Sequence, residues 1–324
     1  MPRFINLFNV IVMTNKKIVT ITIISTFILL SATVRGQSHE ELLMQNINTA
    51  LSQGDCDRAQ RNYNVWKDFA KTSDPSVERR IAECRGDGTG GANQSFTVNG
   101  VTFEMIFVQG GTFSMGCTAE QGSDCNNREK PAHSVTVGNF SIGKFEVTQA
   151  LWKAVMGSNP SSFKGDNLPV ENVSWDDAQE FCRKLSAATG KQFRLPSEAE
   201  WEYSARGGAR SKGFIYSGGN NLNIVGWFWD NSGKRTQSVG QKQANELGIY
   251  DMSGNVWEWC SDWYGVYTAT PKRDPMGASS GSDRVIRGSS WIGAATGARV
   301  ASRYDSTPGN RSSNFGFRLA CSSN

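Results

Sequence analysis

Arg287–Gly288–Ser289–Ser290–Trp291, followed by Arg299–Val300–Ala301–Ser302–Arg303 and by Asn314–Phe315–Gly316–Phe317–Arg318, is the stretch that decides the fold. Gly254–Asn255–Val256–Trp257–Glu258–Trp259 and Arg194–Leu195–Pro196–Ser197–Glu198–Ala199–Glu200–Trp201–Glu202–Tyr203 belong with it. Upstream of these, local patterns are plain. Phe96–Val98 and Val101, Phe103, Met105 and Phe107 alternate about Asn99–Gly100, the signal of a type I′ hairpin. Phe113–Met115 and Val135–Ile142 read as further strands. Thr148 caps a helix over Gln149–Met156, and Ser174 caps another over Trp175–Thr189, with Asp177 completing a capping box. After Gly190 the chain is extended through Phe193–Leu195, and Ser197–Ala205 reads as a short helix with Trp201 and Tyr203 as structural residues. Beyond Gly207 the pattern is mostly irregular, with Trp227, Trp229, Trp257, Trp259, Trp263 and Trp291 spread through it. Long irregular segments argue against a compact domain unless other contacts pin them.

These motifs, in this order, closely resemble the formylglycine-generating enzyme family, also called sulfatase-modifying factor, over about residues 103–321. The resemblance implies an α+β fold of the C-type-lectin-like kind, with loops pinned by aromatic side chains and bound cations. It implies that active members oxidise a sulfatase cysteine with a copper-binding cysteine pair, placed between the aromatic residue of an Arg-Gly-Gly-Ser-Trp motif and the next arginine cluster. Here that interval reads Ile292–Gly293–Ala294–Ala295–Thr296–Gly297–Ala298 and holds no cysteine. Copper is therefore not expected, because Cu(I) selects soft thiolate ligands. A formylglycine-generating oxidase is the weakest of the functional alternatives. The resemblance also implies calcium held by Asp251, Gly254, Val256 and Glu258, two carboxylates and two carbonyls of the hard-donor kind, and a second site beginning at Asn223–Ile224. The competing role for Glu258 is a buried salt bridge to Arg287 or Arg318. By the same resemblance Cys182 and Cys321 form a disulfide.

Other chemistry is excluded more directly. The chain has two histidines, His39 and His133, too few for a three-histidine or two-histidine metal centre. His133, in Pro131–Ala132–His133–Ser134–Val135, resembles a structural position. Among the seven cysteines, Cys56 and Cys84 bracket the helical N-terminal region, Cys117 and Cys125 bracket a polar loop, and Cys260 is left as a buried free thiol. Lys16–Lys17 ahead of an apolar, Thr-rich run to Leu30 and then small residues reads as a signal peptide over residues 1–36; an uncleaved anchor is the alternative. No cysteine near the cleavage point supports a lipoprotein anchor. The first 36 residues carry Arg3, Lys16, Lys17 and Arg35 and no acid, so the formal charge falls from +4 to 4 − 4 = 0 without them. The remaining chain has no charge argument for nucleic acid. Export to the periplasm, the outer-membrane surface or the extracellular space follows.

Residues 37–86 read as a small helical region. Leu42, Leu43, Ile47 and Leu51 follow helical spacing, as do Ala59, Tyr63, Trp66 and Phe69, and Asp74–Pro75 opens a third helix. The pattern resembles one tetratricopeptide-like hairpin with an extra helix, too little for a solenoid surface. Residues 87–95 are a linker by composition, and residues 96–324 form the second domain.

The ending has a further resemblance, to the variable proteins of bacterial diversity-generating retroelements, which imply a hypervariable C-terminal segment on a fixed lectin-like scaffold. Trp291, Arg299, Arg303, Arg311 and Arg318 read as scaffold. Ile292, Gly293, Thr296, Ser302, Tyr304, Asp305, Ser306, Asn310, Ser312 and Asn314 read as the binding residues, with Tyr304 and Asp305 foremost. All these types are reachable from an Asn codon by changing adenines alone. The expected function is non-catalytic binding of a protein or glycan through residues 292–314, diversified or fixed; a structural part of an envelope assembly is the alternative.

Overall fold

The computed structural model describes residues 13–14, 17–18, 38–53, 55–85 and 92–322. The signal-peptide reading falls almost wholly outside them, apart from an antiparallel pairing of Met13–Thr14 with Lys17–Ile18. The chain divides into two compact units, residues 1–89 and 90–324.

The first unit is helical, as its apolar spacing requires. Helices α1 (His39–Ser52), α2 (Cys56–Ala70) and α3 (Pro75–Arg85) bury Leu43, Ile47, Ala50, Ala59, Tyr63, Trp66, Val77 and Ile81. Ser38 and Glu41 close a capping box on α1, and Asp74 accepts hydrogen bonds from the Ser76 and Val77 amides at the start of α3. Cys56 and Cys84 are bonded. Val65 and Phe69 on α2 stay exposed.

The second unit begins with β1 (Gln94–Val98) and β2 (Val101–Val108), so the last two residues assigned to the linker are already sheet, with Gln94 opposite Met105. Asn99 and Gly100 both have positive φ, 47° and 81°, as a type I′ turn demands. The expected strand Val135–Ile142 is two strands. After β3 (Gly111–Met115), β4 (His133–Val137) and β5 (Phe140–Gly143) join different sheets, and the chain turns between them at Gly138–Asn139. Helices α4 (Gln149–Met156) and α5 (Trp175–Thr189) have the expected caps at Thr148 and Ser174, with Asp177 at N3 and Gly190 left-handed at the end. Strand β6 (Phe193–Arg194) leads into α6 (Glu198–Ala205), and one helical turn, α7 (Leu222–Val225), follows.

The region read as irregular contains a sheet. Strands β7 (Trp257–Trp263), β9 (Arg284–Arg287), β10 (Arg303–Ser306) and β11 (Phe315–Gly316) are ordered β10-β9-β7-β11, while β8 (Lys272–Arg273) pairs parallel with β4. Strand β12 (Ala320–Ser322) returns to lie between β5 and β6 in a five-stranded sheet ordered β1-β2-β5-β12-β6. One core packs Trp152, Phe181, Leu185, Trp259 and Phe317 between α4, α5 and these sheets. A second packs Val135, Phe140, Trp201, Tyr203, Met252 and Val285 about α6.

Cys117–Cys125 is bonded as expected, but Cys182 and Cys321 are separate buried thiols, so the disulfide carried over for them is not formed. Each is packed in the apolar core between α5 and β12, and burial pushes the Cys182 thiol up to about 12. The neutral thiol is the favoured form there. Cys260 is also free and buried.

Candidate ligand-binding face

The 287–318 segment is held to the body by arginines, not only by its short strands. Arg287 donates to Glu202 and to the carbonyls of Val300, Ala301 and Ser302. Arg299 meets Glu129 at 2.7 and 2.8 Å, Arg303 meets Glu198 at 2.7 and 2.8 Å, and Arg318 meets Glu258 at 2.6 and 2.7 Å. All four guanidinium groups are buried. Each two-pronged contact fixes a loop residue to a distant element with defined geometry. Internal cations thus pin these loops. Exposed Arg311 adds a fifth attachment, to Asp177 at the head of α5, and the Ser312 and Pro308 carbonyls accept from the Asn172 and Trp175 amides.

On this frame the predicted binding residues divide. Tyr304 is 41% exposed and Ile292 44%. Thr296 and Asn310 are exposed, and Gly293, Ser306, Ser312 and Asn314 are half-buried. The Tyr304 ring lies edge-on to Trp257 at 5.1 Å, and Arg128 stands over it while pairing with Asp305. Asp305 is therefore tethered, not a free contact. Ser302 does not belong to the face: it is 2% exposed, with its amide on Arg299 and its carbonyl on Arg287. Alternation along β10 puts Arg303 inward and Tyr304 outward.

Trp257, Trp229 and Arg128 were missed by the sequence reading. The Trp257 amide donates to the Asn314 carbonyl, Trp291 Nε1 donates to Ser313, and the Trp229 amide donates to Gly293. A line of connected residues therefore runs from Trp229, 48% exposed, through Ile292, Trp291 and Trp257 to Tyr304. Trp257 was read among the tryptophans that pin the loops, and nothing in its spacing marked it otherwise.

Where the family places its thiols the chain has a different filling. Ser289 stands in the second glycine position of the Arg-Gly-Gly-Ser-Trp motif, at φ 67°. Its buried hydroxyl has no hydrogen-bond partner and lies 2.1 Å from the point a Cβ on Gly293 would occupy. A side chain at 293 therefore requires the Ser289 hydroxyl to move. Cys260 is pushed well above the ordinary thiol range by burial.

Of the residues carried over for calcium, Glu258 spends both oxygens on Arg318 and accepts from Trp201 Nε1 at 2.7 Å, so the salt-bridge reading describes it. The Asn223 carbonyl accepts from the Lys242 ammonium at 2.6 Å, and the Ile224 carbonyl from the Gln243 amide. Asp251 differs. Its Oδ2 accepts from Gly240, its Oδ1 is buried without a partner, and burial raises its carboxyl to about 6. Among the described residues no group of three or more His, Cys, Asp or Glu side chains is arranged for a metal. Asp251 thus keeps one oxygen unpartnered, whereas both Glu258 oxygens are taken.

Fold and face together define an α+β, C-type-lectin-like domain that displays an aromatic, polar surface. Residues 92–323 match the family described as the sulfatase-modifying factor enzyme 1-like domain, and the chain belongs to that family. It is 35% identical over 251 residues to a chaperone protein, LppX, of Paenibacillus barcinonensis, covering 62% of this chain and 83% of that one. It is 31% identical over 291 residues to the inactive C-alpha-formylglycine-generating enzyme 2 of Bos taurus, covering 68% and 89%. Among solved structures it resembles variable protein 1 of Treponema denticola, with a TM-score of 0.66, 35% identity, and coverage of 72% of this chain and 99% of that one. The alignments span 59%, 50% and 49% of the formylglycine-generating enzymes of Streptomyces coelicolor, mouse and cattle. The chain is a member without the catalytic cysteine pair.

Proposed function

We propose that this protein is exported and binds a partner, protein or glycan, through the face carrying Ile292, Thr296, Tyr304, Asn310 and Asn314, with Trp257 and Trp229 as its fixed aromatic part. The observation that carries this reading is exposed Tyr304 against half-buried Trp257, on a segment whose Arg287, Arg299, Arg303 and Arg318 are committed inward. Tyrosine and tryptophan supply contact area at low entropy cost, and loops on a rigid frame accept changes without unfolding. Two disulfides and the basic-then-apolar leader support export. Among the described residues no helix is long and apolar enough to cross a membrane. Incubation of the copper-loaded protein with a sulfatase peptide containing Cys-x-Pro-x-Arg should leave the cysteine unchanged; formylglycine in the product overturns the reading. A photo-crosslinking residue at 304 should capture a partner that one at exposed Lys153 does not.

Exposed Val65 and Phe69 favour a second reading, docking into an envelope assembly through the helical unit. Loss of the partner on deleting residues 38–86, with retention in Tyr304→Ala, would select it. Active diversification of residues 292–314 belongs to the first reading and requires a near-copy of the 3′ coding segment and a reverse transcriptase gene beside this gene. Calcium belongs to it at Asp251, with the Gly254 and Val256 carbonyls, because a cation would satisfy the unpartnered Oδ1. Calcium should then raise the melting temperature of the chelator-treated protein, and Asp251→Asn should abolish the rise; no shift in the wild type rejects the site.

A further inference from the structure

We propose that the cavity beneath residues 264–278 binds a small primary ammonium compound, with its charged head on Asp262 and its alkyl stem against the apolar wall. This site is separate from the face above. It lies on the inward side of β10, where Arg303 contributes to its lining, and Tyr304 points the other way.

The cavity holds about 100 Å³. By the same measure one water needs about 10–15 Å³, so there is room for a ligand of several heavy atoms. Its lining is divided. Met115, Ala199, Val266, Pro275 and Ala278 give an apolar wall, and Asp262 gives an acid 2% exposed. Asp262 Oδ2 accepts from the Glu198 amide and the Ser261 hydroxyl, both at 2.9 Å. Among the described residues no hydrogen bond reaches Oδ1. That oxygen stands 3.1 Å from where a Cβ on Gly277 would begin, and Gly277, at φ 79°, also lines the cavity. A buried carboxylate without a counter-charge is costly, so a cation or a strong donor at Oδ1 would stabilise its charged form.

The two arginines nearest the cavity are held by other groups. Arg303 is held by Glu198 and by the carbonyls of Arg128 and Gly265. Arg284 is stacked on Trp175 and Trp263, at 3.8 and 3.4 Å, and donates to the Ser261 carbonyl. His133 uses Nδ1 on the Pro131 carbonyl. Lys272 also lines the cavity and is the chain's own ammonium, a competitor of the same chemistry. A divalent ion lacks its ligands, since no three-residue group of the required kind exists among the described residues. An anion would meet Asp262 and Glu198. A monovalent ammonium with an apolar stem matches both halves of the lining.

Titration of the full chain with n-butylammonium, followed by tryptophan fluorescence and calorimetry, tests this. Saturable binding is expected, and n-butanol, which has the stem without the charge, should not compete. Asp262→Asn keeps the shape and one acceptor, and should weaken binding by about tenfold or more, or about 1.4 kcal/mol, without lowering the melting temperature. No saturation up to about 100 mM, a regime weaker than any millimolar site, overturns the proposal. Equal binding by Asp262→Asn, or by n-butanol, overturns it as well.

Discussion

Ser289 places a side chain in a backbone region that favours glycine, at a cost of about 1 kcal/mol for a non-glycine residue, and it leaves its hydroxyl unpartnered against Gly293. The two positions should therefore be coupled. Ser289→Gly is expected to stabilise by about 1 kcal/mol. Gly293→Cys should destabilise alone and be relieved in the Ser289→Gly background, with a coupling of about 0.5 kcal/mol or more in urea melts. Additive effects would mean that the hydroxyl does not occupy that space. Asp262 supports a second prediction at this scale. Burial first, and then the charge of Glu198, raise its carboxyl from 3.8 to about 7. The groups around it are Glu198, Glu200, Cys260, Arg303, Arg284, Arg194, Lys272, His133 and Tyr267. A raised acid binds more protons folded than unfolded between these values. Its contribution is complete below 3.8 and is lost as pH rises through about 7. Asp262→Asn should flatten that fall in stability between about pH 5 and pH 7, read from denaturant midpoints at each pH; an unchanged slope would place the titration elsewhere.

Among the elements, those with local signals were legible. Thr148 and Ser174 cap their helices with the side-chain bonds their sequence promises, Ser197, read as helical, is the cap of α6, and Asn99–Gly100 turns as expected. The β10-β9-β7-β11 sheet was not legible, because its strands are short and β7 buries residues on both faces, Glu258 and Cys260 on one and Trp259 on the other. No period-two alternation survives there. The arginines that hold it find their acids far away in sequence, Arg299 at Glu129 and Arg303 at Glu198. Spacing cannot reveal such partners. Removal of one member leaves a buried charge, so Arg318→Ala should cost about 3–5 kcal/mol. Tyr304→Ala, on the same strand system but outward, should stay within about 1 kcal/mol, little more than an ordinary surface change. Equal losses in chemical denaturation would mean that scaffold and face have been exchanged.

For the whole molecule, the motifs were specific enough to read the fold, whereas the face was read only in part. Ser302 was assigned outward because its residue type suits a variable loop, yet it is buried; Trp257 and Trp229 were read with the scaffold, yet they border the surface. Residue type marks what a loop tolerates, and only the backbone path says which way a side chain points. This separation of frame from surface gives the last prediction. A chain altered together at Ile292, Thr296, Tyr304 and Asn310 keeps Trp291, Arg299, Arg303 and Arg318 and all their acids. None of the four altered side chains is buried, so the summed effect on stability should stay near 1–2 kcal/mol. Partner capture by the face should nevertheless be lost, since binding energy concentrates in a few exposed aromatic and apolar anchors. Chemical denaturation and the position-304 crosslink, moved to position 257 for this variant, measure the two independently. A folded variant that still captures the same partner at position 257 would move the binding function off these four side chains and onto Trp257 and Trp229, the fixed part of the face.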